Sequence, residues 1–133
     1  MKELRELSLP GDLKYTESHE WISPKAPYRV GVSDFAQDRL GDITFAEMPE
    51  VGASFGAGGE FGSLESIKSA SAVYLPVAGR VAAVNEALRD DPGLVNRDPY
   101  GEGWLLEIDP AVPAAFDSLM PAERYLRHLE EKA

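Results

Sequence analysis

One lysine in the middle of the chain has surroundings suited to chemistry. Lys68 is the single cation in the short polar stretch of residues 65–71, and strand-like runs flank it at residues 60–64 and 73–81. Small and polar residues between two such runs predict a tight connection between strands. A lysine at a hairpin tip keeps its amine in water on a flexible stem, so an enzyme can reach it from outside. The chain has five lysines, however, and spacing alone does not separate a modification site from a solubilising charge.

Other residues that could do chemistry form weaker patterns. His19 stands beside Glu20, which could suggest metal or acid–base chemistry, but the other histidine, His128, lies far away in a predicted helix, so we expect no metal site. The glycine-dense residues 56–62 lack the Lys-Ser/Thr of a phosphate loop and read as turns. The chain has no cysteine and no hydrolase or metalloprotease motif, so any sulfur redox chemistry must come from an attached group.

The pattern of apolar residues indicates mainly β structure with short helices. A chain of 133 residues and 14.5 kDa is large enough for one domain with a real core. We predict an N-terminal tail at residues 1–10, which ends at Pro10-Gly11, and a single domain at residues 11–133. Alternating strands dominate from residue 42 to residue 108.

Helices are predicted on either side of these strands. Ser33 or Asp34 can cap a short helix over residues 35–40 that stops at Gly41, with Phe35 and Leu40 facing the core. Residues 113–130 are predicted to form one or two helices, with a break at Pro121.

Charge and hydropathy exclude several classes of function. The formal net charge of −10 argues against non-specific nucleic-acid binding and suits docking on partners with basic patches. No apolar run approaches the ~20 residues of a membrane span, and the acidic N-terminus does not resemble a secretory signal. We therefore expect a bacterial cytoplasmic protein without membrane attachment, with the mitochondrial matrix as the less favoured location.

Several motifs together resemble the glycine cleavage system H protein family. The residues that carry the resemblance are Glu65-Ser66-Ile67-Lys68-Ser69-Ala70-Ser71, Tyr74-Leu75-Pro76-Val77-Ala78-Gly79, Ser18-His19-Glu20-Trp21, Gly31-Val32-Ser33-Asp34-Phe35-Ala36-Gln37 and Pro99-Tyr100-Gly101-Glu102-Gly103-Trp104. The resemblance spans about residues 11–131. It implies a lipoyl/biotinyl-type hammerhead sandwich of two antiparallel sheets with a C-terminal helical segment. It also implies a non-catalytic carrier with lipoate bound covalently to Lys68.

The family implies a set of partners. Lipoyl-Lys68 would take the aminomethyl group of glycine from a pyridoxal-phosphate glycine decarboxylase to a tetrahydrofolate-dependent aminomethyltransferase. A flavin-containing dihydrolipoamide dehydrogenase would then reoxidise the arm. A lipoate ligase, or an octanoyltransferase with lipoyl synthase, would load it. We expect a monomer. The alternative within the family is a lipoyl relay protein that donates lipoyl groups to other complexes. A biotin carrier would have methionines beside the lysine, where this chain has Ile67 and Ser69.

The resemblance also assigns roles to residues near Lys68. Glu65, three positions earlier, would be recognised by the lipoylating enzyme. Ser18 and Glu20 would contact the docked, loaded arm. The family commonly has aspartate four residues after the lysine, where this chain has Ala72, so more of the docking role would fall to Ser18 and Glu20.

Overall fold

The computed structural model describes residues 2–132, apart from the side chains of residues 113, 114 and 132. Within this range, strands are the main regular structure, and four short α-helices and two 3₁₀ turns connect or cover them. The strands are β1 (Lys14–Tyr15), β2 (Glu20–Ile22), β3 (Tyr28–Val32), β4 (Ile43–Glu47), β5 (Ser54–Phe55), β6 (Glu60–Ser66), β7 (Ala70–Tyr74), β8 (Gly79–Val84), β9 (Leu106–Pro110) and β10 (Met120–Pro121). The helices are α1 (Asp34–Leu40), α2 (Ala87–Asp90), α3 (Leu94–Arg97) and α4 (Ala122–Lys132), and the 3₁₀ turns are Leu4–Glu6 and Pro113–Ser118.

The strands form two sheets in which every pairing is antiparallel. The larger sheet has the order β10-β1-β2-β3-β9-β8-β5, and the smaller has the order β4-β6-β7. Both sheets contribute one face to an apolar layer, as the alternation of apolar residues requires. The predicted mainly-β sandwich of two antiparallel sheets with a C-terminal helix is therefore confirmed.

The main core lies where the two sheets meet. Val30 from β3 and Ile108 from β9 meet Leu64 from β6 and Val73 from β7 in one contiguous cluster, and all four are at most 2% exposed. Burying an aliphatic side chain of this size contributes about 1.5–3 kcal/mol. This core fixes the β6–β7 pair rigidly, so the turn between these strands stands on a stiff support.

A second, aromatic cluster fastens both ends of the chain to the larger sheet. Tyr15 and Tyr125 stack with ring centroids 4.8 Å apart, and Trp21 and Leu129 complete the buried part. Leucines of the N-terminal segment pack against the same cluster, and the Tyr100 hydroxyl donates to the Ser8 carbonyl at 2.6 Å. Residues 2–10 are thus in contact with the rest of the molecule. The division into tail and domain at residue 10 stays a prediction.

The helical segments differ in how closely they match the sequence pattern. Helix α1 begins after Ser33, whose side chain accepts from the Ala36 amide, and it ends at Gly41, where φ is +79°. The C-terminal segment is divided at Pro121, where a break was predicted, and the unpredicted feature is that Met120–Pro121 pairs with β1 before α4 begins. None of the helices in residues 2–132 has the length and apolar character of a membrane span.

Candidate functional site

Lys68 lies at the tip of the hairpin between β6 and β7. Its turn is closed by the Ser66 amide, which donates to the Ser69 carbonyl at 2.8 Å, and by the Ser69 amide, which donates to Ser66 Oγ at 3.2 Å. Ile67, Lys68 and Ser69 are all exposed. Short polar side chains that bond to nearby backbone favour such turns. The hairpin is therefore placed as the sequence predicted, with its lysine open to solvent.

The aliphatic part of the Lys68 side chain lies close to the C-terminal end of α1. Its Cε lies 3.9 Å from the position that a Cβ on Gly41 would occupy. The last carbonyls of a helix carry partial negative charge, which favours a cation there. The end of α1 therefore lies beside one side of the Lys68 side chain, and the other side is exposed to solvent.

A cavity of about 280 Å³ lies beside α1. Its walls come from the loop before β2, from β3, from α1 and from β7. The lining residues are Ser18, His19, Glu20, Val32, Phe35, Ala36, Arg39, Leu40, Ser71, Ala72 and Val73. The structure thus brings Ser18 and Glu20, which are distant from Lys68 in sequence, to a cavity that shares helix α1 with the lysine. The lining combines apolar groups with a carboxylate and a guanidinium.

Glu20 is the buried carboxylate of this cavity, with 1% of its surface exposed. Its Oε1 accepts from the hydroxyls of Thr16 at 2.7 Å and Ser18 at 2.5 Å, and its Oε2 accepts from the Tyr74 amide at 3.1 Å. Burial raises the pKa of Glu20, and these hydrogen bonds oppose the rise. The bond to Tyr74 joins β2 of the larger sheet to β7 of the smaller one, so Glu20 has a structural role that the sequence did not indicate.

His19 faces the C-terminal helix and corrects one prediction. Its φ is +76°, and its Nδ1 lies 2.7 Å from the Tyr125 hydroxyl, which is also 2.7 Å from Ser33 Oγ. His128, which we expected to be far from His19, has its ring centroid only 6.3 Å away, because α4 folds back over the loop before β2. Burial, and to a smaller extent the electrostatic interaction with His128, lowers the pKa of His19 to about 4. No group of three or more His, Cys, Asp or Glu within residues 2–132 could hold a metal ion.

Glu65 and Ala72 lie on the strands that lead to and from the hairpin tip. Glu65 is exposed on β6, where it pairs with Phe45 of β4 and Ala70 of β7. Ala72 is half-buried on β7 and forms part of the cavity wall. The position where the family commonly has an aspartate therefore faces the cavity, and Glu20 is the carboxylate that lines it.

Several cavity residues were not predicted from the sequence. Arg39 places its guanidinium 4.6 Å from the centre of the Phe35 ring, and both side chains line the cavity together with Ser71. Phe35 lies in a segment whose resemblance to the family was noted, but the pattern indicated only a helix with Phe35 facing the core, not a cavity-lining role. Nothing in the local sequence shows which side of α1 faces the lysine.

The fold and the site together define a class of protein. A stiff antiparallel sandwich that exposes a lysine at a hairpin tip beside a cavity is a carrier domain, which presents a side chain to larger enzymes.

Comparison with known proteins identifies the family. The sequence model of the family "Glycine cleavage H-protein" matches residues 13–132. A glycine cleavage system H protein of Listeria monocytogenes serotype 4b is 46% identical over 125 residues, which cover 93% of this chain and all of that protein. Another from Synechococcus sp. strain RCC307 is 48% identical, with 93% and 96% covered. The crystal structure of a glycine cleavage system H protein from Mycobacterium marinum has a TM-score of 0.84 at 38% identity, with 92% of this chain and 99% of that chain covered. The chain belongs to the glycine cleavage H-protein family, and it is a non-catalytic lipoyl carrier, as the sequence motifs predicted.

Proposed function

We propose that Lys68 carries lipoate in amide linkage and shuttles the aminomethyl group of glycine between the enzymes of the glycine cleavage system. The observation that carries this proposal is the exposed amine at the tip of a stiff hairpin in a chain of this family. Its partners are a pyridoxal-phosphate glycine decarboxylase, a tetrahydrofolate-dependent aminomethyltransferase and a flavin-containing dihydrolipoamide dehydrogenase. The protein acts as a monomer in the bacterial cytoplasm.

Loading of Lys68 requires an accessible amine and an activated acyl donor. The neutral amine attacks the carbonyl carbon of lipoate activated as an acyl adenylate by a ligase, or that of an octanoyl thioester. In the second route, lipoyl synthase afterwards converts the octanoyl group already in amide linkage to Lys68. The new C–N bond forms, the adenylate phosphate or the thiolate leaves with its electron pair, and the amine loses one proton. Turn residues that expose Lys68 make this attack possible without unfolding the sheet.

The residues beside Lys68 fit the attached group. Lipoate supplies a redox-active disulfide at the end of an apolar chain. The cavity beside α1 has apolar side chains for such a chain, including Val32 and Leu40, and ends on the polar pair Ser18 and Glu20. We propose that the Glu20 carboxylate accepts the ammonium of the loaded arm there, because Ala72 cannot. A tether of this kind also delivers the arm to each partner at an effective concentration on the order of mM.

Intact-mass measurement after incubation with a lipoate ligase, lipoate and ATP tests the attachment site. We expect the wild type to gain one lipoyl group and Lys68→Arg to gain none. Lys25→Arg removes another exposed lysine and should load as the wild type does. Loading of Lys68→Arg would contradict the proposal, since the group would then be carried elsewhere.

Reconstitution with glycine decarboxylase tests the role in glycine cleavage. Lipoylated wild-type protein should support exchange between labelled bicarbonate and the carboxyl group of glycine, whereas the Lys68→Arg variant should not. Full lipoylation without exchange would contradict this role and favour the lipoyl relay.

Two further variants test the neighbouring residues. Glu65→Ala should slow loading without unfolding the domain, because we propose that the lipoylating enzyme recognises this carboxylate.

Ser18→Ala should speed decay of the loaded arm in the isolated protein, since a docking contact is lost. Rates equal to those of the wild type would count against each role separately.

A further inference from the structure

We infer that the outer face of the small sheet, centred on Phe45, is the docking surface for the enzyme that attaches lipoate to Lys68. This inference rests on the proposed attachment at Lys68 and names the surface that the attaching enzyme covers. The partner is a protein surface with an apolar pocket and a basic rim.

The first observation is an exposed aromatic ring on the strand pair that leads to the lysine. Phe45 is 52% exposed although it lies inside β4. It pairs with Glu65, and Glu65 pairs with Ala70, so the three residues share one outward face of the β4-β6-β7 sheet. Ile67, which directly precedes Lys68, is 81% exposed. Two large apolar side chains exposed on and beside the same hairpin sheet indicate an apolar contact surface for another molecule.

The second observation is an excess of negative charge in the segment that contains these apolar groups. Residues 42–75 contain five carboxylates and a single cation, which is Lys68 itself. Two of the carboxylates, Glu47 and Glu65, are exposed on the same small sheet, and Glu47 lies two residues after Phe45. An apolar centre with an acidic rim is complementary to an apolar pocket rimmed by lysine or arginine.

The third observation is a cavity of about 330 Å³ along the free edge of β4. Phe45 and Met48 lie on one wall, and Val84 and Leu88 lie on the other. The lining also includes Glu47 and the exposed ion pair of Glu86 with Arg89, so carboxylates outnumber cations there. A partner side chain can enter there beside the Phe45 ring. The edge strand therefore offers both a protruding ring and an adjacent recess.

The short distance between the Lys68 amine and this surface, set by the length of the lysine side chain, indicates which partner occupies it. The enzyme that attaches lipoate must bring its active site to Nζ, at the end of a four-carbon stem, so it covers the residues next to the hairpin tip. Enzymes that act on the far end of the attached arm work at a greater distance. We therefore expect the attaching enzyme, rather than the others, to contact Phe45 and Ile67.

Steady-state loading kinetics with a lipoate ligase, lipoate and ATP test this inference. We expect Phe45→Ala to lower kcat/KM by about tenfold or more, mostly through KM, because it removes a central apolar contact. Val51→Ala and Val112→Ala remove side chains that are 60% and 56% exposed away from the hairpin, and they should stay within about twofold of wild type. Glu47→Lys should raise KM, and the KM of wild type should rise with salt.

Three outcomes would overturn the inference while leaving the attachment site intact. The first is a kcat/KM for Phe45→Ala within about twofold of wild type. The second is an equal loss in Val112→Ala. The third is a normal loading rate for Phe45→Ala combined with impaired decarboxylase exchange after full lipoylation, which would assign the surface to the decarboxylase. Phe45→Thr, whose β-branched side chain favours a strand, replaces Phe45→Ala if circular dichroism shows that the alanine variant is unfolded. Loading of Lys68→Arg would instead refute the proposed function itself.

Discussion

The hairpin around Lys68 and the buried region around Glu20 differ in solvent exposure and in the contacts that hold them in place. Lys68 is exposed, none of the ion pairs found in residues 2–132 includes it, and its turn is closed by Ser66 and Ser69 close by in the chain. Glu20 is buried and receives hydrogen bonds from a loop and from a strand of the other sheet. A group that enzymes must reach is held by local contacts, whereas a group that must stay in place is held by distant ones.

This difference separates stability from function. Contacts between distant parts of the chain contribute to the free energy of unfolding, whereas an exposed side chain contributes little to it. Changes near Glu20 should therefore affect folding, and changes at Lys68 should affect modification. Four predictions follow the size of the expected effect on stability.

Replacing the Glu20 carboxylate by a methyl group should have the largest effect. Glu20→Ala leaves the half-buried Tyr74 amide without an acceptor and loses two hydroxyl bonds, so we expect a loss of about 2–4 kcal/mol in the free energy of unfolding by urea. Glu20→Gln is the matched control, because its amide oxygen can face Tyr74 while the rotatable hydroxyls of Thr16 and Ser18 accept from its NH₂ group. An unchanged urea midpoint in Glu20→Ala would show that the two sheets do not depend on this contact.

Acidification should weaken the fold through His19. Its pKa is about 4 in the folded protein and about 6.5 when unfolded. Since the unfolded chain binds the proton first, stability should be full above pH 6.5 and fall as the pH drops toward 4. Glu20 acts in the opposite direction: its raised pKa adds stability as the pH falls through the region just above its ordinary value.

Thermal unfolding across this pH range separates the two groups. In His19→Asn the fall should be smaller, because asparagine tolerates the positive φ and does not titrate. In Glu20→Gln the fall should be steeper than in wild type. Identical pH profiles for wild type and His19→Asn would rule out His19 as the source.

Changing the glycine under the Lys68 stem should have a moderate effect. Gly41 ends α1 with φ at +79°, so Gly41→Ala should lower the free energy of unfolding by about 1 kcal/mol through backbone strain. The added methyl would meet Lys68 Cε at 3.9 Å, which is an ordinary contact, so loading of Lys68 should be unchanged. Gly11→Ala, with no atom within 4 Å and no positive φ, is the control and should unfold as wild type does.

Removing the Lys68 amine should have the smallest effect on folding. Lys68→Gln should change the free energy of unfolding by less than about 0.5 kcal/mol, because the side chain is exposed and forms none of the ion pairs described. Lys25→Gln, another exposed lysine, should behave in the same way. A clearly destabilised Lys68→Gln would mean that the lysine helps to hold the hairpin against α1.

Sequence patterns over a few neighbouring residues explain why the hairpin could be predicted. Turn formation depends on residues close in sequence, such as Ser66 and Ser69, and the flanking apolar alternation predicts paired strands. Helix α1 could be bounded in advance for the same reason, from the cap at Ser33 and the glycine at 41. The family motifs added the chemical identity of the group that we propose to be attached, which no spacing rule provides.

Long-range packing explains what was missed. The return of α4 places His128 near His19 although more than a hundred residues separate them, and the same folding brings Tyr125 to Ser33. The cavity lining and the bond from Tyr74 to Glu20 also join segments from opposite sheets. No periodicity in the sequence encodes such distances, because they depend on how the sheets stack.

By itself, the sequence determined the β-rich fold, the turn at Lys68 and the family, since propensity, patterning and motifs act over short stretches of chain. The tertiary structure alone decided that Glu20 would be buried between two sheets, that Ala72 would face the same cavity, and that Phe45 would remain in water on an edge strand. The physical reason is that burial and electrostatic environment are properties of packed surfaces, and those surfaces exist only when distant segments have come together.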